Sequence, residues 1–357
     1  MDTLKKIGLT ALGTTLVAGS AFAGEITASG DAGFTWSSED TTGATNDGIA
    51  HNHDITFSGS GELDNGWTVN TTMILVEGAT LSSSNVKLTM GSAGSIKVGS
   101  GTGSIGASFD NVVPTAWEEN HDGMATSTAI DNMGAGQDAG VIDYTAPAMD
   151  IMGATVTAMF AWSPEADSAA GEGGVSAGDN GDYSTGTAAG VTIGYGGLSL
   201  GAFGAQMQAD TNTGVRDVGT EADSFDGTWY AKYAMGPVSV GYQVAYIDRG
   251  QAGASAANNS SAKTVTAASG HFDSESISVA FNINENFSVS WSELTETYDE
   301  GDDGTVGDVD LESTSIQFAY TMGSMSIKGY QTDEDKPGWD SDATSNETTE
   351  IAVNFAF

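Results

Sequence analysis

Two lysines and four carboxylates have the types and spacing that impose a field on water and ions. Lys87 and Lys97 lie in the alternating segments Val86-Lys87-Leu88-Thr89-Met90 and Ser95-Ile96-Lys97-Val98, on either side of one tight turn. In both segments the lysine takes the face opposite the aliphatic residues. Matching faces across the turn requires paired numbers with an even sum, so 87 and 97 are expected to be opposite or diagonal neighbours. Asp110, Glu118, Glu119 and Asp122 follow on the longest polar spacer, 101–139. Other reactive sets are sparse. The chain has no cysteine and four histidines, so it offers no thiolate, and no nucleophile-elbow motif occurs. His51 and His53 share one strand face and could begin a transition-metal site, but no third ligand of the right kind accompanies them. Asp299, Asp303, Gly304 and Asp310 approach a calcium-loop pattern, with Gly301 at the third position and no terminal glutamate. No catalytic, cofactor-binding or dedicated metal residues are assigned.

The whole chain bounds what those charges can do. It carries 10 basic and 48 acidic residues among 357, a formal charge of −38. Attraction to nucleic acid or to an anionic membrane surface is excluded. Residues 1–23 read as an export signal: Lys5 and Lys6, an apolar stretch from Ile7 to Ala18 too short to span a bilayer, then Ala21-Phe22-Ala23. Cleavage before Gly24 leaves 24–357 as one domain, with 8 basic and 47 acidic residues.

From Gly24 onward the dominant period is two. Val238, Val240, Tyr242, Val244 and Tyr246 alternate with Ser239, Gly241, Gln243 and Ala245, and the same beat closes the chain from Glu350 to Phe357. No stretch sustains a period of 3.6. Seven short spacers rich in Gly, Asn and Pro (64–66, 91–94, 147–153, 196–197, 235–237, 282–286, 322–324) alternate with eight long acidic ones. The long ones lie near 38–50, 76–82, 101–139, 163–185, 208–224, 248–266, 295–309 and 331–345. They separate sixteen strands. The non-aliphatic face is mostly Ser, Thr, Gly, Ala and Asn, which builds no dry core. Apolar side chains therefore face lipid, and a sheet in hydrocarbon must close on itself. The expected fold is all-β: a 16-stranded antiparallel transmembrane β-barrel, with Trp36, Trp67, Trp162, Trp229 and Trp291 near strand ends where aromatic girdles form.

At this point the chain resembles the Gram-negative outer-membrane general porins, particularly those of alphaproteobacterial type. The likeness rests on the closing strand Ile351-Ala352-Val353-Asn354-Phe355-Ala356-Phe357, and on Gly61-Glu62-Leu63-Asp64-Asn65-Gly66-Trp67, Gly94-Ser95-Ile96-Lys97-Val98-Gly99 and Tyr233-Ala234-Met235-Gly236-Pro237-Val238. The resemblance implies a homotrimer of sixteen-stranded barrels with an inward-folded third outer loop, here 101–139. It implies that Phe355 and Phe357 form a signal read by the barrel-assembly machinery of the outer membrane. Pro114-Thr115-Ala116-Trp117-Glu118-Glu119 sits where family members carry an acidic loop segment.

The protein is expected to be a porin of the cell outer membrane, forming a water-filled channel for passive diffusion of small hydrophilic solutes and ions. The constriction expected of it sets Asp110, Glu118, Glu119 and Asp122 on the loop against Lys87 and Lys97 on the wall, the acids screening the paired lysines. Lys232, Lys328, Tyr230 and Tyr330 are further candidates to face the lumen. The excess of acids predicts weak cation selectivity over about a Debye length, ~8 Å. No cofactor is expected, although acidic outer loops can gather Ca²⁺ or Mg²⁺ loosely and bridge lipopolysaccharide; partners are outer-membrane lipid and lipopolysaccharide. Two other readings stay open: a substrate-selective channel on the same fold, and a secreted adhesive or structural β-protein without a pore.

Overall fold

The computed structural model describes residues 24, 26–41, 44–76, 80–100, 105–126, 128–130, 133–134, 139–164, 183–209, 223–248, 271–299 and 308–357. The expected export signal lies outside the described residues. Alternation of small or polar with apolar residues gives β1 (Ile26–Thr41), β2 (Ala44–Glu62), β3 (Thr68–Val76), β4 (Thr80–Thr89), β5 (Ser95–Ser100) and β6 (Ala139–Thr145). There follow β7 (Met149–Ile151), β8 (Ala154–Ser163), β9 (Tyr183–Tyr195), β10 (Leu198–Ala209), β11 (Ser224–Met235) and β12 (Val238–Asp248). The last five are β13 (His271–Asn284), β14 (Phe287–Asp299), β15 (Val309–Met322), β16 (Met325–Asp335) and β17 (Asn346–Ala356). Both β6 and β7 pair with β8, so they form one wall strand interrupted around Pro147, which has no N–H to give the ladder. That leaves sixteen wall strands.

Every pairing is antiparallel and, apart from β6–β8 and β1–β17, between sequence neighbours; β1 pairs with both β2 and β17. The sheet therefore closes into a barrel without an open seam, the only arrangement of strands that satisfies the backbone in hydrocarbon. Each of the seven expected short spacers contains a turn between paired strands, but strands take up much of two: 149–151 of the 147–153 spacer form β7, and 282–284 of the 282–286 spacer belong to β13. At Met152-Gly153 both residues have positive φ, 55° and 86°, the mirror-image turn whose twist matches the flanking strands.

The two faces differ as the period-two pattern requires. Outward residues are large and exposed: Phe160 at 52%, Trp229 at 49% and Ile316 at 61%. The opposite face carries Ser276, Ser278, Ser292 and Ser315, all buried. Two expectations need correction. First, the strands run further toward the long spacers than the hydrophobic pattern indicated. Strand β1 continues to Thr41 and β2 resumes at Ala44, β14 reaches Asp299, and β16 reaches Asp335. On β13 the outward side chains change from Phe281, Val279 and Ile277 to Glu275 and Asp273; β15 changes from Ile316 to Glu312. Pairing persists where the outer surface has turned acidic, because the strands stand above the apolar band. Second, the inner face is not uniformly wet. Phe203, Tyr230, Ile247, Phe272, Leu294, Leu311, Tyr298 and Trp339 form a buried cluster inside the barrel together with Ile105, Phe109, Ile130 and Met133 of the 101–139 spacer. Of the tryptophans, Trp162 lies at a strand end and Trp67 just outside one, but Trp36, Trp229 and Trp291 sit within their strands.

Placing an arginine on the apolar band tests its orientation. Val279→Arg is expected to lower the free energy of refolding into lipid by about 2–4 kcal/mol; an unchanged refolding transition would place Val279 away from acyl chains.

Candidate functional site

The described part of the 101–139 spacer, residues 105–126, 128–130 and 133–134, lies against the inner wall from β9 to β16. Its first turn, Ile105–Ser108, leads into Phe109, which is fully buried against Phe203 and Tyr230 at ring separations of 5.3 and 6.2 Å. From there wall side chains catch the loop backbone in succession. Gln243 accepts from the Val112 N–H (2.9 Å) and donates to the carbonyls of Phe109 and Asp110. Ser278 donates to the Pro114 carbonyl, Ser290 accepts from Ala116 N–H, and Gln317 accepts from Trp117 N–H while donating to the Glu119 carbonyl. Thr332 donates to the Asp122 carbonyl. The small polar residues that alternate with the lipid-facing ones thus hold a chain segment as well as line water.

Buried carboxylates complete the attachment. Glu296 and Glu334, 0% and 1% exposed, accept the N–H groups of Ala129 and Ile130 and of Ala125 and Thr126. Asp226, 1% exposed, accepts from Gly134 N–H at 2.8 Å. Hydrogen bonds from backbone amides to ionised carboxylates are about twice as strong as neutral ones. The turn at Pro337–Trp339 joins the same assembly: Gly338 N–H donates to Thr126 Oγ1, and Trp339 Nε1 donates to the Glu296 carbonyl. None of these carboxylates stood out in the sequence. Glu296 and Glu334 lie in stretches with the composition of outer loops; the signal that reveals them is their phase, even-numbered on strands whose even positions face inward.

The four candidate acids occupy this loop. Asp110 accepts from Asn111 N–H at 2.8 Å, and Asp122 accepts from Glu119 N–H at 2.9 Å. Glu119 also lies 3.5 Å from His121. Next to them, Trp117 stacks obliquely on Tyr330 (5.6 Å between ring centres) with Lys328 Nζ 5.9 Å from its ring, and Tyr330 donates to Glu350 at 3.0 Å. Partial burial pushes the Glu118 carboxyl above its ordinary pKa. The neighbouring Asp122, Glu350 and Glu119 charges push the same way, and only Lys328 opposes them.

The register pairs Lys87 directly with Lys97, and both face inward. The expected screen is replaced, however. Lys97 Nζ is 3.0 Å from Asp143 Oδ2, and Asp143, opposite it on β6, is 3% exposed. The acids near Glu118 gather instead with Lys328 on β16 and Glu350 on β17. The sequence logic paired the lysines correctly but could not see across the spacer to β6. Lys232 stands 5.0 Å over the Tyr230 ring. Among the described residues the four inward lysines, Lys87, Lys97, Lys232 and Lys328, lie two or three residues from the short-turn end of their strands. They occupy one level of the barrel.

His51 and His53 stack at 6.1 Å on the outer face of β2, and no group of three His, Cys, Asp or Glu able to hold a metal occurs among the described residues. The calcium-like pattern is split: Asp303 and Gly304 fall outside the described residues, and Asp310 accepts from Thr297 Oγ1. Phe355 and Phe357 face outward at 43% and 72% exposure, with the Phe357 backbone paired to Gly30.

Fold and site together define a closed transmembrane β-barrel with a chain segment bound to its inner wall by side chains of the wall strands. The family model for Gram-negative porins matches residues 8–357, and the chain belongs to that family. No curated protein matches the sequence. Solved structures share the fold at low identity. Salmonella typhi OmpF, in complex with daunomycin, aligns with a TM-score of 0.67 at 12% identity over 94% of this chain and 98% of its own. The anion-selective porin from Comamonas acidovorans aligns at 0.63 and 13%, over 94% and 100%. A trimeric form of Vibrio cholerae OmpT aligns at 0.57 and 11%, over 94% and 100%.

Removing the Glu296 carboxylate leaves the amides of Ala129 and Ile130 without their acceptor. Glu296→Ala is expected to cost about 1–3 kcal/mol of stability and to expose residues 105–134 to protease in detergent; unchanged digestion would show that the loop is held by apolar packing alone.

Proposed function

We propose that this outer-membrane porin is a homotrimeric diffusion channel for small hydrophilic solutes and ions, with a weak preference for cations. The observation that carries the reading is the position of Glu118 and Glu119. They follow directly on Trp117, the point where the loop is tied to Gln317, and they crowd toward Asp122 and Glu350 with one lysine, Lys328, among them. A loop fixed to one half of the wall narrows the remaining passage, and the excess negative charge along it raises the local cation concentration.

Asp110, Glu118, Glu119 and Asp122 supply the loop side of this constriction, and Lys87 and Lys97 the wall side. Asp143 neutralises one of the two lysines, which weakens the positive side and favours cations further. Residues 1–23 serve as a cleaved export signal, and Phe355 and Phe357 as the terminal signal for barrel assembly. The trimer is supported by the trimeric form of the structurally similar Vibrio cholerae protein. The inward aromatics Phe203, Phe272 and Tyr298 are buried in the apolar cluster with the loop, so among the described residues they form no exposed track along the passage, which supports general diffusion over a substrate-selective channel.

Planar-bilayer recordings in a salt gradient test the reading. The wild-type reversal potential is expected to favour the cation, and Glu118→Gln/Glu119→Gln is expected to reduce that preference at least twofold. A chloride preference, or a double variant that behaves like the wild type, contradicts the assignment. The raised pKa of Glu118 adds a sign: its charge is lost on acidification sooner than that of an ordinary carboxylate. Cation preference should therefore begin to fall at a pH above the ordinary glutamate range, and Glu118→Gln should shift that onset to lower pH.

A further inference from the structure

On the inner face where β17, β1 and β2 lie side by side, Asn354, Gly33 and Asn52 form a single row. The Oδ1 atoms of Asn354 and Asn52 both lean over Gly33, and a side chain there would collide with each of them. Both amide oxygens are buried and have no hydrogen-bond partner. Two residues along the same face, Asp31 and Asp54 stand directly opposite one another.

Each feature is costly by itself. Like charges directly opposite on neighbouring strands repel, and a buried carbonyl oxygen without a donor loses its bond to water with nothing in return. The surrounding inward positions do not offset this. Thr35 and Thr56, Ala50 and Ala352 are the neighbours in register, and none carries a charge. The inward lysine nearest in register, Lys328, pairs with Ala352 and lies by the Trp117 ring. Two amide oxygens thus stand over the hollow at Gly33, and two carboxylates follow two residues along the same inner face, all of them acceptors.

We propose that Asp31, Asp54, Asn52 and Asn354 form a site in the lumen wall for a hard divalent cation, with Ca²⁺ as its best occupant. Carboxylate and amide oxygens are the ligand set Ca²⁺ takes, and its tolerance for irregular geometry with six to eight ligands suits side chains on three strands, water completing the shell. Soft transition metals are disfavoured, since neither His nor Cys contributes. The cation removes the aspartate repulsion and gives both orphan oxygens a partner. It also ties β17 to β1 and β2 at the seam where the two ends of the chain meet. This site is separate from the acids of the loop, and its failure would leave the diffusion reading untouched.

The test is calorimetric titration of the full refolded protein in detergent with CaCl₂, at about 0.15 M salt to suppress diffuse binding. The wild type is expected to show one saturable site per chain. Asp31→Asn/Asp54→Asn should abolish it, and Gly33→Ala, which removes no ligand, should weaken it at least tenfold by filling the hollow. Asp40→Asn/Glu347→Asn, which removes equal charge from the rim, should leave it unchanged. Heat-dependent gel mobility confirms that each variant is folded; if Gly33→Ala does not fold, Asn52→Ala/Asn354→Ala takes its place with the same expected weakening. The proposal is overturned if the wild type shows no saturable site, if the hollow-filling variant binds as the wild type does, or if the rim pair matters as much as the aspartate pair.

Discussion

A peptide group in hydrocarbon has no water to bond, and everything else in this molecule follows from meeting that demand. The chain does so by pairing every wall strand with its sequence neighbours and then pairing β1 with β17, so that no edge is left. Closure fixes two surfaces of opposite character. The outer one must match acyl chains, and it does, with Val240, Tyr242 and Val244 directed outward. The inner one is then free to be polar, because the driving force for the fold no longer resides there.

That freedom has been used in an uneven way. On β9 to β16 the inner face is committed to holding the described part of the 101–139 spacer, through amide and hydroxyl side chains, through the carboxylates of Glu296, Glu334 and Asp226, and through an apolar cluster around Phe109, Phe272 and Trp339. Burying carboxylates is expensive unless hydrogen bonds compensate, and each of these accepts at least one loop amide. From β17 round to β5 the inner face instead presents Asn52, Asp54, Asn70 and Lys87, which no loop segment covers among the described residues. The barrel is thus divided into a wall that positions and a wall that water touches.

The sequence made the first division legible and hid the second. Alternation and the interleaving of short with long spacers gave the strand number, the turn positions and the direction of Lys87 and Lys97, because these depend only on local period and parity. The strand ends above the membrane were hidden, since β14 and β16 turn acidic on their outer face before pairing stops, and acidity looks like loop. The loop attachment was hidden for a related reason. Gln243, Ser290 and Gln317 read as water-facing residues, and nothing local distinguishes a side chain that bonds water from one that bonds a backbone a hundred or more residues away. Asp143 shows the same limit: its partner Lys97 is 46 positions earlier, across a spacer whose path parity cannot trace. Leu294, Leu311 and Ile247 were readable in principle, as apolar residues at inward positions, out of phase with their neighbours.

The claim on which the account rests is that the apolar face touches lipid while the opposite face encloses water. Because the chain has no cysteine, single cysteines can be introduced along β2 and β17 and treated in proteoliposomes with a charged, water-soluble thiol reagent. Positions 54, 56, 58 and 350 are expected to react, and positions 55, 57, 351 and 353 to stay protected. Uniform labelling, or labelling with the opposite parity, would contradict the inverted barrel.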